Sequence, residues 1–216
     1  MRFDKSCLIM DKKAMCKTIF RAAFAGTVDD VRFFIEQGVN VNARNDNDLG
    51  RTPLHYAAGG YSSVDVLEYL VAKGAVVNVD DIFGMTPLHC VICGTADIDK
   101  LKYLIEKGAK LDGFGMGMTP LQLAANGNSN VEIAKYLVEQ GADVHVKSDI
   151  REGWTPLHYA ASGNHNAKVV KYLIEAGANV NVKSDTGKTP FDVVAISKKK
   201  KKEILRAAGG KSGEEL

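Results

Sequence analysis

Between Gly153 and Val182 the chain reads GWTPLHYAASGNHNAKVVKYLIEAGANVNV, and its apolar positions fall into two short helical stripes. Leu157, Ala160 and Ala161 give a first helix a small, flat apolar face. Val169, Val170, Leu173 and Ile174 form the stripe of a second. Thr155 suits the N-cap of the first helix, and Pro156 the first helical position, where its missing N–H costs nothing. Gly163 ends that helix and Asn166 is placed to cap the next. Gly177 supplies the left-handed residue that closes the second helix, and Val180, Asn181 and Val182 leave as a short extended arm. Both predicted helices are one-sided. The unit cannot bury its apolar faces alone and needs copies beside it.

The copies are present. Thr-Pro recurs at Thr52-Pro53, Thr86-Pro87, Thr119-Pro120, Thr155-Pro156 and Thr189-Pro190, at spacings of 34, 33, 36 and 34. Thr52 to Ala58 reads TPLHYAA, as does Thr155 to Ala161. Thr119 to Ala125 reads TPLQLAA and Thr86 to Ile92 reads TPLHCVI. The period and the TPLHxAA core resemble the ankyrin repeat family over about Lys17 to Ala208. The resemblance implies an all-α repeat solenoid of ankyrin repeats, each an antiparallel helix pair plus a β-hairpin or loop arm. The expected layout is a flexible leader at 1–15, a repeat domain at 16–208 and a disordered tail at 209–216. Within the domain, an N-terminal cap spans 16–47, full repeats 48–81, 82–114, 115–150 and 151–184, and a C-terminal cap 185–208.

The first unit lacks Thr-Pro but keeps the remaining pattern, with Thr27 and Asp30 spaced as a capping box. A terminal unit needs a polar outer side, so its divergence is expected. In each full unit the closing Gly (Gly74, Gly108, Gly141, Gly177) follows the Thr by 22 residues, one more than the family pattern. The extra residue falls between the helices, where Ser63, Asp97, Asn130 and Asn166 are all good N-caps. The arms vary instead: from closing Gly to the next Thr the counts are 14, 12, 11, 14 and 12. Length variation in repeat proteins collects on one face, often the binding face. Tyr69, Tyr103, Tyr136 and Tyr172 share one register, with Phe33 matching in the first unit, and read as aromatics packed along the second helices. In the last unit Phe191, Val193 and Val194 are expected on a first helix, and Ile204 and Leu205 on a second.

Composition changes this picture little. Of 216 residues, 45% are hydrophobic and 25% charged, with a net charge of +2, which gives no reason to invoke nucleic acid or an anionic membrane. No apolar run reaches the roughly 18 residues of a membrane span. The run Cys7 to Met10 is too short for a signal peptide. A cytoplasmic, monomeric protein is the expectation. Four cysteines in a chain this long do not make a disulfide framework.

Candidate chemistry is sparse. The resemblance implies that Thr52, Pro53, Thr86, Pro87, Thr119, Pro120, Thr155 and Pro156 are structural motif residues, and that His55, His89 and His158 are structural hydrogen bonders. Gln122 and Asp192 stand at the same position in the other units. Cys90 and Cys93 form a CxxC without a second ligand pair, so no metal or cofactor is expected. Val91 and Ile92 replace the Ala-Ala of the other full units, which requires neighbouring units to separate or repack. No P-loop, GxGxxG, nucleophile elbow or HExxH is present, and no enzyme is expected. Lys198 to Lys202 fall where the last helix begins and read as a solvated turn, with an anionic partner or a targeting signal as the other reading.

The arm tips carry the unusual residues. Ile82, Phe83 and Met85, then Phe114, Met116 and Met118, then Ile150 and Trp154 make three successive tips apolar, where polar residues are usual. Aromatics and Met are enriched in interface cores. The expectation is one exposed patch that binds another protein, with Trp154 mostly exposed and worth more to binding than to stability. An inhibitor or immunity protein blocking a cognate enzyme, and a targeting adaptor using the lysine run, are the alternatives.

Overall fold

A computed structural model describes residues 18–127, 130–163 and 166–216. The expected leader lies outside the described residues. Helix pairs follow one another along the chain: α1 Ile19–Ala25 and α2 Val28–Glu36; α3 Pro53–Gly59 and α4 Val64–Ala72; α5 Pro87–Cys93 and α6 Ile98–Glu106; α7 Pro120–Gly127 and α8 Val131–Glu139; α9 Pro156–Ser162 and α10 Ala167–Glu175; then α11 Lys199–Ala207 alone. First helices pack on first helices and second on second, giving an all-α solenoid. The core is a continuous ladder through the stack: Ala22 and Ala23, Leu54, Ala57 and Ala58, Leu88 and Val91, Leu121 and Ala124, Leu157 and Ala161, with Leu67, Leu101, Ala134 and Val170 from the second helices. Each layer is completed by the next, so stability is a property of the stack.

The capping residues act locally. Thr27 and Asp30 form the reciprocal box, with Thr27 N–H donating to Asp30 Oδ2 at 2.8 Å and Asp30 N–H to Thr27 Oγ1 at 3.3 Å. Thr18 caps α1 through its hydroxyl, accepting from Arg21 N–H, so the first unit keeps the Thr and lacks only the Pro. Asp97, Asn130 and Asn166 cap their helices as expected. Ser63 makes no such cap bond, and its hydroxyl donates to Asp65 Oδ2.

The bulk at Val91 and Ile92 is absorbed asymmetrically. Both are buried in α5. On one side α3 meets α5 closely through Gly59, whose Cα faces the Cys90 backbone; on the other, α5 and α7 approach more loosely than α3 and α5 or α7 and α9. In the tyrosine register Tyr69, Tyr103 and Tyr136 pack against the core, and Arg32 lies 5.6 Å from the Tyr69 ring and Lys102 5.8 Å from that of Tyr136, each reaching from the preceding unit.

The arms are of the loop kind, and two expectations about the C-terminal end are corrected. Among the described residues the arms hold no strands, only isolated bridges at Asn45–Arg51 and Gly115–Met118. Residues 190–194 form turns rather than a first helix, so the last unit is a single helix. The stretch 209–216 is not a loose tail. Lys211 N–H donates to Asn181 Oδ1 and Gly213 N–H to Asp192 Oδ2, both at 2.8 Å, and a short 3₁₀ turn follows at Gly213–Glu215. Thr189 Oγ1 donates to the Lys211 carbonyl at 2.7 Å. The segment takes the place that the next unit's arm would fill.

Nor is the lysine run a solvated turn throughout. Lys201 is 3% exposed, and its Nζ donates to the carbonyls of Ala160 (2.6 Å), Ala161 (3.3 Å) and Gly163 (2.5 Å) at the end of α9. Lys100 does the same for α3, donating to Ala57 and Gly60 carbonyls at 2.8 Å each. Each buried ammonium therefore satisfies carbonyls that the preceding unit's first helix leaves open.

Candidate functional site

The motif histidines bind each arm to the unit before it. His55 Nδ1 accepts from Thr52 N–H at 3.1 Å, which places the ring proton on Nε2, and Nε2 donates to the Met85 carbonyl at 2.9 Å. His89 repeats this with Thr86 and with the carbonyls of Gly113 and Met118, and His158 with Thr155 and Lys188. Gln122 reproduces both halves, its Oε1 accepting from Thr119 N–H and its Nε2 donating to the carbonyls of Val146 and Trp154. Asp192 keeps only the acceptor half.

Burial lowers the pKa of all three histidines below the usual 6.5. As pH falls through that value the unfolded chain takes up protons that the folded chain refuses, so stability is full above about 6.5 and declines below it. A melting temperature that falls from pH 7 to pH 5 is expected, with a shallower fall in His158→Gln, which copies Gln122. An unchanged slope in that variant would contradict the assignment.

The same hydrogen bonds decide which tip residues face water. The residue just before Thr86, Thr119, Thr155 and Thr189 gives its carbonyl to the preceding unit's His or Gln, and is drawn onto the stack. Met85 is therefore 3% exposed, which corrects its place in the expected patch. Met118 and Trp154 are half-buried against the core. Trp154 stacks on His158 (5.9 Å, 24°), meets Tyr159 edge-on at 5.4 Å, and carries the Arg151 guanidinium 5.0 Å over its ring. The expectation of a mostly exposed Trp154 does not hold.

The large apolar residues three to five places before the Thr point outward. Ile82, Phe83, Phe114, Met116 and Ile150 are exposed, from 40% at Phe114 to 68% at Ile82. Backbone bonds lock their tips side by side: Ile82 N–H to the Leu49 carbonyl (3.0 Å), and Met116 N–H to that of Phe83 (2.9 Å). Gly84 lies against the Phe114 carbonyl and Gly117 under the Ile150 side chain, with no room for a Cβ at either. Met116 has φ 50° and Gly117 φ 70°, in a two-residue turn closed by Gly115 and Met118. That turn suits Asn-Gly, and an apolar side chain there is strained by about 1 kcal/mol.

An aromatic cluster on α1, α3 and Tyr61 just beyond α3 was not read from the sequence. Phe20 and Tyr56 lie 5.4 Å apart and Phe24 and Tyr61 5.5 Å, with Tyr61 exposed. The i, i+4 spacing of Phe20 and Phe24 was the available signal.

Burial pushes the Cys90 thiol up to about 12, which marks a core side chain. Among the described residues no group of three or more His, Cys, Asp or Glu is placed to hold a metal, and no helix is long and apolar enough to cross a membrane.

Comparison with known proteins agrees with the repeat geometry. A family model for three ankyrin repeat copies matches residues 8–81 and again 64–148, and a model for a single ankyrin repeat matches 152–185. A 61-residue stretch is 44% identical to alpha-latrocrustotoxin-Lt1a of Latrodectus tredecimguttatus. That match covers 28% of this chain and 4% of the toxin.

Proposed function

The chain belongs to the ankyrin repeat family, whose repeats are generally protein–protein interaction modules, and we propose that it binds a protein partner through the tips of its middle arms. The observation that carries this reading is the row of Ile82, Phe83, Phe114, Met116 and Ile150, exposed on neighbouring tips, with Met116 bonded through its backbone to Phe83 and Ile150 lying over Gly117. A soluble protein rarely leaves a contiguous apolar surface without use for it. Met116 adds to the argument, since it occupies a backbone conformation that a polar residue would fill at lower cost. The mechanism is rigid presentation: the surface is formed before the partner arrives, so little ordering is required on association. The lysine run offers less to an anionic partner than its sequence suggests, because Lys201 is buried and Lys202 lies 5.3 Å over the Phe191 ring.

The test is a triple variant, Phe83→Ser, Phe114→Ser and Met116→Asn. It should weaken association with a captured partner by at least about 100-fold, the scale of an interface hot spot. Its melting temperature should hold or rise, because the side chains are exposed and Asn relieves the turn. Undiminished capture by the folded variant would contradict the proposal.

A further inference from the structure

The charges around the tips specify the partner further. Asp80, Asp112 and Asp149 are exposed and stand one or two residues before Ile82, Phe114 and Ile150. Among the described residues their carboxylates enter no hydrogen bond or ion pair. Several cations of the same edge are engaged by groups of this chain, although Lys110 and Arg151 remain exposed and Lys147 is 54% exposed. Arg44 donates to the carbonyls of Gly50 and Asp80, and Arg51 pairs with Asp81 at 3.1 Å. Lys147 faces Asp185 at 3.8 Å, and Arg151 lies over Trp154 and Tyr159. Lys110 sits at the stem of its arm, where its backbone N–H is held by Asn78 while its side chain is exposed.

Asp112 adds a further observation. Four residues after the closing Gly, Asn42, Asn78 and Asn181 each clamp the following unit: Asn42 to Gly74 and Val76, Asn78 to Gly108 and Lys110, and Asn181 to Gly209 and Lys211. Asp112 holds that position after Gly108, and a carboxylate has no N–H to give the next carbonyl. A clamping side chain is thus replaced by a free negative charge beside the apolar tips.

Building on the tip surface proposed above, we propose that its occupant is a basic segment of a partner protein, with apolar side chains that seat among Phe83, Phe114 and Met116 and flanking Lys or Arg side chains that meet Asp80, Asp112 and Asp149. Complementary charge of this kind steers encounter and rejects acidic competitors.

The experiment selects binders to the full chain from an unbiased displayed library of 12-residue peptides. The enriched peptides should combine aromatic or aliphatic residues with a net positive charge. Their affinity should fall about tenfold in Asp80→Asn, Asp112→Asn, Asp149→Asn, the scale of three exposed pairs, and fall with added salt. Thermal melting of that variant serves as the folding control and should not decrease, since none of the three carboxylates has a bond to lose. Neutral or acidic peptides, or affinity unchanged in the Asn variant, would overturn the basic-partner inference while leaving the tip reading intact. Basic peptides that bind the Ser/Ser/Asn tip variant normally would overturn both. Self-association of the chain alone, abolished by that tip variant, would show a second copy as the occupant and overturn the basic segment.

Discussion

Lys201→Gln is expected to destabilise the array by on the order of 2 kcal/mol, while Lys199→Gln and Lys200→Gln should each change it by less than about 0.5 kcal/mol. Five consecutive lysines look interchangeable in the sequence, yet only Lys201 is buried, bonded to three carbonyls at the end of α9. A helix C-terminus leaves carbonyls without partners and carries partial negative charge, so an ammonium satisfies both. Glutamine is shorter and uncharged, and leaves some of those buried acceptors unmet. Burial, and to a smaller extent Lys198, push the Lys201 pKa down to about 8 from 10.5. Between those values the unfolded chain binds more protons, so wild-type stability should rise with pH through that window, and Lys201→Gln should flatten the rise. Urea unfolding at pH 7 and pH 10 reads both effects. Equal midpoints for the Lys200 and Lys201 variants would show that the capping bonds carry no stability.

Trp154→Ala should lower stability by about 2–3 kcal/mol, somewhat below the range for a fully buried aromatic. The indole covers His158 and Tyr159 and supports Arg151, at the junction where Gln122 reaches the Trp154 carbonyl. Its removal opens space against Tyr159, which is wholly buried and donates to Ser148 Oγ. Partner affinity should change far less, because the indole is turned onto its own unit. A variant that melts normally but loses binding would return Trp154 to the interface.

The helix pairs were legible because their signals are local. Thr at the N-cap, Pro at the first turn, Gly in the left-handed position and Asn, Asp or Thr at the second cap each act within four residues, and the period aligns them. Apolar tips were legible as a class for the same reason. Which tip residues reach solvent was not, because that depends on a bond from the neighbouring unit. Phe83 and Met85 are two residues apart and read alike in the sequence. The His55 bond to the Met85 carbonyl, with Asp81 accepting from the N–H groups of both Phe83 and Met85, turns one outward and the other in. The Lys201 contact was hidden for a related reason, since it joins residues 38 to 41 positions apart. The docked 209–216 segment lacks periodicity altogether, and its order comes from Asn181, Thr189 and Asp192 in the preceding arm and turn.

Methionine oxidation footprinting tests the tip surface most directly, because Met85 and Met116 supply an internal contrast. Met116 is exposed on the patch and Met85 is buried one unit away. In the free chain Met116 should oxidise readily and Met85 slowly. In the complex with a captured partner, Met116 should become protected by at least about tenfold while Met85 is unchanged, the scale expected when a hot-spot side chain is fully desolvated. Equal oxidation of Met116 in the free and bound chain would contradict the claim that the middle tips are where the partner sits.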